Sequence, residues 1–281
     1  MSFLRPVAVA MVLASGMASG MAHAQEDRQA EVQELAALLR LPELTVILRE
    51  EGLGHGAEIG AEWFPPQVAA RWEDAVSEIY DVARMESRIM DRFTAELDAS
   101  PLVPDMTAFF ASDMGRQVVE LEVSARQAML DTDVEAESRD RAQLMWDDGG
   151  PRIELIDRFV AAGDLVEANV EGALNANLAF YMGLADGGAF DQALTEQDML
   201  ADVWSQEEVI RAETEEWLYA FLILAYGPLP DEALEDYVTF AESAAGRRMT
   251  RALFAAFDDV FLAISRDLGI AAARVLAAQD I

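Results

Sequence analysis

The sequence predicts an all-α protein, a helical bundle built from two related helical repeats. Three observations carry that prediction. Apolar residues recur at spacings of three and four through nearly all of the chain beyond its first two dozen residues, with no sustained alternation of period two. The pattern Phe-x-x-Ser-x-x-Gly-Arg occurs at Phe109, Ser112, Gly115 and Arg116, and again 131 positions later at Phe240, Ser243, Gly246 and Arg247. Gly52-Leu53-x-x-Gly56 returns as Gly183-Leu184-x-x-Gly187 at the same offset. Two landmarks in one register imply a duplicated unit with little net insertion between its copies.

In chain order, residues 1–24 read as a cleavable export signal. Arg5 supplies the positive start, the stretch from Pro6 to Ala22 carries no charge, and Ala22-His23-Ala24 is a small-x-small site. Cleavage is expected between Ala24 and Gln25. The apolar run is short for a spanning helix, which needs about 20 residues, and Ser15, Gly16, Ser19 and Gly20 dilute it. The processed chain is therefore expected in the periplasm with no stable membrane insertion. Residues 25–148 then form the first repeat and residues 149–281 the second.

Within the first repeat, Val32, Leu35, Leu38 and Leu39 make one apolar face, and Trp72, Val76 and Ile79 make another. Beyond Asp81 the stripe continues through Met85, Ile89, Phe93 and Leu97. Gly52-Leu53-Gly54-His55-Gly56 reads as a turn between helices. Thr132-x-x-Glu135 has capping-box form. Asp147-Asp148-Gly149-Gly150 marks the junction between the halves, and Pro151 suits a first helical position.

In the second repeat, Ser205-x-x-Glu208 again has capping-box form. Gly187-Gly188 and Tyr226-Gly227-Pro228 break helices. Leu253, Phe254, Phe257, Phe261, Ile264 and Leu268 form a deeply packed face, which Gly269 is expected to end. In each Phe-x-x-Ser-x-x-Gly element, the serine would cap the second of two helices. The glycine, having no side chain, would let another helix approach, and Phe109 or Phe240 would lie on the buried face of the incoming one.

Composition excludes several function classes. The formal net charge is -32, from 52 acidic and 20 basic residues, every basic one an arginine. Such a chain lacks the basic footprint that nucleic acid requires, and it is repelled by anionic lipid. With no cysteine there are no disulfides, thiol nucleophiles or thiolate metal sites. Neither Gly-x-Gly-x-x-Gly nor a Walker loop is present, and the latter would need a lysine.

Asp236-Tyr237-x-x-Phe240-x-x-Ser243-x-x-Gly246-Arg247 resembles the signature of the domain-of-unknown-function family numbered 2059, typically Phe-Tyr-x-Ser-Pro-x-Gly-Gln. Ala244 and Asp113 stand where that signature has proline, and arginine stands for its glutamine. The resemblance is best over residues 200–262 and weaker around Ser112. It implies an exported bacterial helical domain, in a tandem form similar to those of alphaproteobacteria, and it implies no activity.

Candidate chemistry is sparse. His55 is the one histidine beyond the signal, and no Gly-x-Ser-x-Gly elbow accompanies it. Asp131-Thr132-Asp133-Val134-Glu135 and Asp147-Asp148 offer oxygen ligands for calcium but lack the EF-hand pattern. Asn169, Asn175 and Asn177 are expected to be buried amides bonding neighbouring helices, the alternative being that they line a small cavity. Of five tryptophans that could form a sugar platform, Trp72, Trp204 and Trp217 are expected in the core instead. No catalytic, cofactor-binding or metal-binding residue is assigned. The expected role is non-catalytic: binding an unknown envelope protein or small ligand, or maintaining the envelope. The alternative is a periplasmic calcium sensor or carrier, with an exported hydrolase below both.

Overall fold

The computed structural model describes residues 28–190 and 195–277. The expected signal, with Ala24 and Gln25, lies outside the described residues. Among the described residues there is no strand, and the all-α class is established. A helical segment α1 covers residues 28–38. There follow α2 (Leu41–Trp63), α3 (Pro66–Ile79), α4 (Val82–Leu97), α5 (Val103–Phe110), α6 (Asp113–Ala128) and α7 (Thr132–Asp148). Beyond the Gly149-Gly150 turn come α8 (Pro151–Gly163), α9 (Leu165–Asp186), α10 (Glu196–Ser205), α11 (Glu207–Tyr226), α12 (Asp231–Ala241) and α13 (Ala244–Ala277). No helix among the described residues is long and apolar enough to cross a membrane.

Local signals account for most boundaries. The Asp81 side chain caps α4 by accepting from the amide of Arg84 at 2.9 Å. Gly149 and Gly150 both take positive φ, 65° and 112°, which is why glycine can end α7 and admit Pro151 at the start of α8. Ser112 Oγ accepts from the Gly115 amide, and Ser243 Oγ accepts from the Gly246 amide, each at 3.0 Å. A Cβ at Gly115 would collide with the backbone of Phe109 and Phe110, and one at Gly246 with that of Phe240 and Ala241. The two serine junctions thus share one local geometry. They also meet in space: the Phe109 and Phe240 rings stack at 3.9 Å with planes 9° apart.

Several boundaries depart from expectation. Gly52, Gly54, His55 and Gly56 lie inside α2, not in a turn. Gly52, Gly56 and Gly60 form a stripe of spacing four, and the α3 side receives it with Tyr80, Val76 and Trp72, which a Cβ at those positions would strike. Trp72 Nε1 also donates to the Gly56 carbonyl at 2.6 Å. Gly269 does not end a helix either, because α13 runs on to Ala277. Ser205 closes α10 and donates to the Asp202 carbonyl, so it caps nothing. The reciprocal capping box belongs instead to Thr195 and Asp198. At α7 the cap is Asp131, with Thr132 already helical.

The core is largely one body shared by both halves, with a small satellite of Val170, Leu174 and Val203 between α9 and α10. The halves interlock. α4 of the first half lies along α13, tied by Arg88–Asp259 at 2.5 Å and Arg248–Glu96 at 3.2 Å. α11 of the second half lies along α6 and α7, with the Arg126 guanidinium 5.0 Å from the centre of the Trp217 ring.

Candidate functional site: a cleft between α2, α9 and α13

α9 and α13 run parallel, since Gly172 faces Asp258, Gly183 faces Arg266 and Gly187, just past the end of α9, faces Ala273. Their closest approach is backbone against backbone. A Cβ on Gly183 would collide with the Arg266 carbonyl, and one on Gly269 with the Phe180 carbonyl. N-terminal to that clamp a cleft of about 470 Å³ opens, closed on its third side by α2. This volume lies within the range of small-molecule pockets, roughly 300–1,000 Å³.

Each helix contributes a distinct wall. α13 presents Phe261, Ile264, Ser265 and Leu268, while α9 presents the small Ala173 and Ala176 beside Asn177 and Phe180. α2 supplies Leu48, Ile59 and Trp63, and Trp63 meets Phe180 edge-on at 5.7 Å. The lining is mainly apolar with a few polar groups. Glu51 is neutralised by a two-pronged bond from Arg126, at 2.6 and 2.7 Å. Burial, with Glu51 nearby, pushes the Tyr80 hydroxyl up to about 12, so it stays a neutral donor. His55 lies at the rim with its side chain exposed and Nδ1 3.9 Å from Glu58, and no nucleophile is paired to it.

Asp258 sits one turn before Phe261 on α13. Burial, with Glu171 adding repulsion, pushes its carboxyl up to about 6. A second buried cluster lies across the seam of the halves. Glu122 of α6 accepts from the Tyr226 hydroxyl at 2.6 Å and the Tyr237 hydroxyl at 3.0 Å. Desolvation raises the Glu122 carboxyl, while the two tyrosyl bonds pull it back. Tyr226 is 1% and Tyr237 5% exposed, so both rings are withdrawn from solvent.

The other residues singled out in the sequence are dispersed. Asn169 bonds its own helix at Leu165, Asn175 faces solvent, and Asn177 reaches Gln206 at 3.5 Å, so the asparagines are not a buried network. Trp72 is core and Trp217 is half-buried against Phe221, but Trp204 is 63% exposed. Asp131 is spent as a helix cap, and Glu135 is paired with Arg139 at 2.8 Å. Among the described residues no group of three or more His, Asp or Glu side chains is arranged to hold a metal ion.

The sequence reading missed the cleft, Asp258 and Glu122. The available signal for the cleft was the row of small residues Gly172, Ala176 and Gly183 along one face of α9. No family model, curated protein or solved structure matches the chain. The likeness to the 2059 family therefore stands on its quoted motif.

Proposed function

We propose that the chain is an exported, non-catalytic binding protein of the bacterial envelope, and that the cleft between α2, α9 and α13 is its ligand site. The carrying observation is the mainly apolar lining of that cleft by residues from three helices, beside a glycine-built clamp that holds α9 and α13 in register. A net charge of -32 disfavours anions at such a site, leaving neutral or cationic apolar molecules as its natural guests. Arg5, the uncharged run to Ala22 and the Ala22-His23-Ala24 site support export. A tandem origin is supported by the shared serine-cap geometry and by the stack of Phe109 on Phe240.

The test uses a neutral solvatochromic dye such as Nile red. The protein should enhance its emission saturably, and Ala176→Trp, which fills the α9 wall, should abolish the effect while the circular-dichroism melt stays cooperative. Dye binding unchanged by that substitution would remove the cleft as the site. Amino-terminal sequencing of the periplasmic protein should begin at Gln25; a start at Met1 would remove export by a cleaved signal.

A further inference from the structure

Asp258, Phe261, Ser265 and Leu268 follow one another at spacings of three, four and three along α13, so they share a face. The last three line the cleft. On α9 the opposing row is Gly172, Ala176 and Phe180 at spacings of four, and the last two also line it. Asp258 is outside the lining itself but lies on the same face of α13, one turn N-terminal to Phe261. Gly172 makes room for it there, since a Cβ at that position would stand 2.8 Å from the Asp258 Oδ1.

On the same two helices Asp259 pairs with Arg88, Asp186 with Arg266 and Glu167 with Arg211, while Glu171 and Asp267 have no ion pair among the described residues but are exposed. Asp258 makes no ion pair among the described residues, and the charged group that acts on it is another carboxylate, Glu171. A half-buried carboxylate facing a second negative charge is costly, and the compensation that chemistry supplies is a cation. An apolar trough with an unpaired carboxylate one turn beyond its end is complementary to a molecule with one positive end and one apolar body.

We propose that the cleft takes cationic amphiphiles, the ammonium group seated at Asp258 and the alkyl or aryl body laid between Phe180 and Phe261. This rests on the cleft being the ligand site. Anionic amphiphiles are rejected by Asp258 and Glu171, and neutral ones bind through the apolar walls alone.

Calorimetric titration of the full chain with octylammonium, 1-octanol and octanoate separates these contributions. The ammonium should bind about tenfold more tightly than the alcohol, as a charge-assisted bond to a carboxylate warrants, and octanoate more weakly than either. Asp258→Asn should erase the margin of ammonium over alcohol and leave the alcohol unchanged. Equal affinities in the native protein would overturn the proposal, and so would a margin that survives Asp258→Asn, which would assign the preference to the overall charge. In both cases alcohol binding that is sensitive to Ala176→Trp or Ser265→Leu would still stand for the cleft. Failure of ammonium and alcohol alike to bind would sink the cleft reading and this proposal together.

Discussion

α6 and α13 begin alike and end differently. Both start at a serine whose hydroxyl accepts from an amide three residues on, beside a glycine pressed against the preceding helix. α6 then stops at Ala128 and the chain restarts as α7 at Thr132, whereas α13 runs unbroken for 34 residues. The cause is local. Asp131 accepts from the amides of Asp133 and Val134, a bond that requires non-helical backbone at its own position. The residues 131 places on are Leu262, Ala263 and Ile264, which offer no such acceptor and continue the apolar stripe. The difference teaches where the cleft comes from. Because α13 does not bend after Val260, its second half stays alongside α9 and supplies Phe261, Ser265 and Leu268 to the cleft wall.

Proline at corresponding positions is the sharpest way to break this comparison. Ala263→Pro, in the middle of α13, should cost about 3 kcal/mol or more in urea unfolding, since it deletes a helix bond and clashes with the turn before it. Thr132→Pro stands at the first position of α7, where the amide has no helical partner, and should change stability by under about 0.5 kcal/mol. Equal costs at the two sites would mean that the break at Asp131 does not shape the fold.

Glycine to alanine inside a helix ordinarily stabilises by up to about 1 kcal/mol. At Gly269 the sign should reverse, to a loss of about 2 kcal/mol, because the new Cβ meets the Phe180 carbonyl and forces α9 and α13 apart. Gly54→Ala in α2, where nothing lies within 4 Å, should show the ordinary gain. A neutral or stabilising Gly269→Ala would show that the backbone clamp is slack.

The smallest effect, and one that depends on pH, belongs to Glu122. Its carboxyl is raised above the ordinary 4.5 in the folded state. Such a group favours folding while protonated; its contribution is complete below 4.5 and is lost as the pH rises through the raised value. Glu122→Gln keeps an acceptor for Tyr226 and Tyr237 and never ionises. The variant and the native protein should therefore unfold alike near about pH 4, and the variant should become the more stable as the buffer is taken toward about pH 8. A constant difference across that range would show that Glu122 does not titrate in it.

Helix content was legible because each apolar stripe states its own period, and the caps at Ser112 and Ser243 were legible because their partners lie three residues away. Glycine was not. In Gly52, Gly56 and Gly269 the missing side chain serves a neighbouring helix and not a turn, and sequence spacing does not distinguish the two uses. Ser205-x-x-Glu208 has capping-box form, but Ser205 is itself the last residue of α10 and its hydroxyl donates to the Asp202 carbonyl. Glu122 and Asp258 were hidden by numbers. In a chain with 52 carboxylates a special one is marked only by what surrounds it, and the tyrosines on Glu122 are 104 and 115 positions away.

The crossed packing of α4 on α13 and of α11 on α6 and α7 has a consequence for biogenesis. α4 packs on α2, which precedes it, but Glu96 must wait for Arg248, a partner 152 residues downstream, before α4 is seated on α13. Contacts this distant in sequence close slowly, and the nascent chain cannot complete its interior until the last helix has been synthesised. Until then the stripe of α4 that faces α13 stays open to solvent.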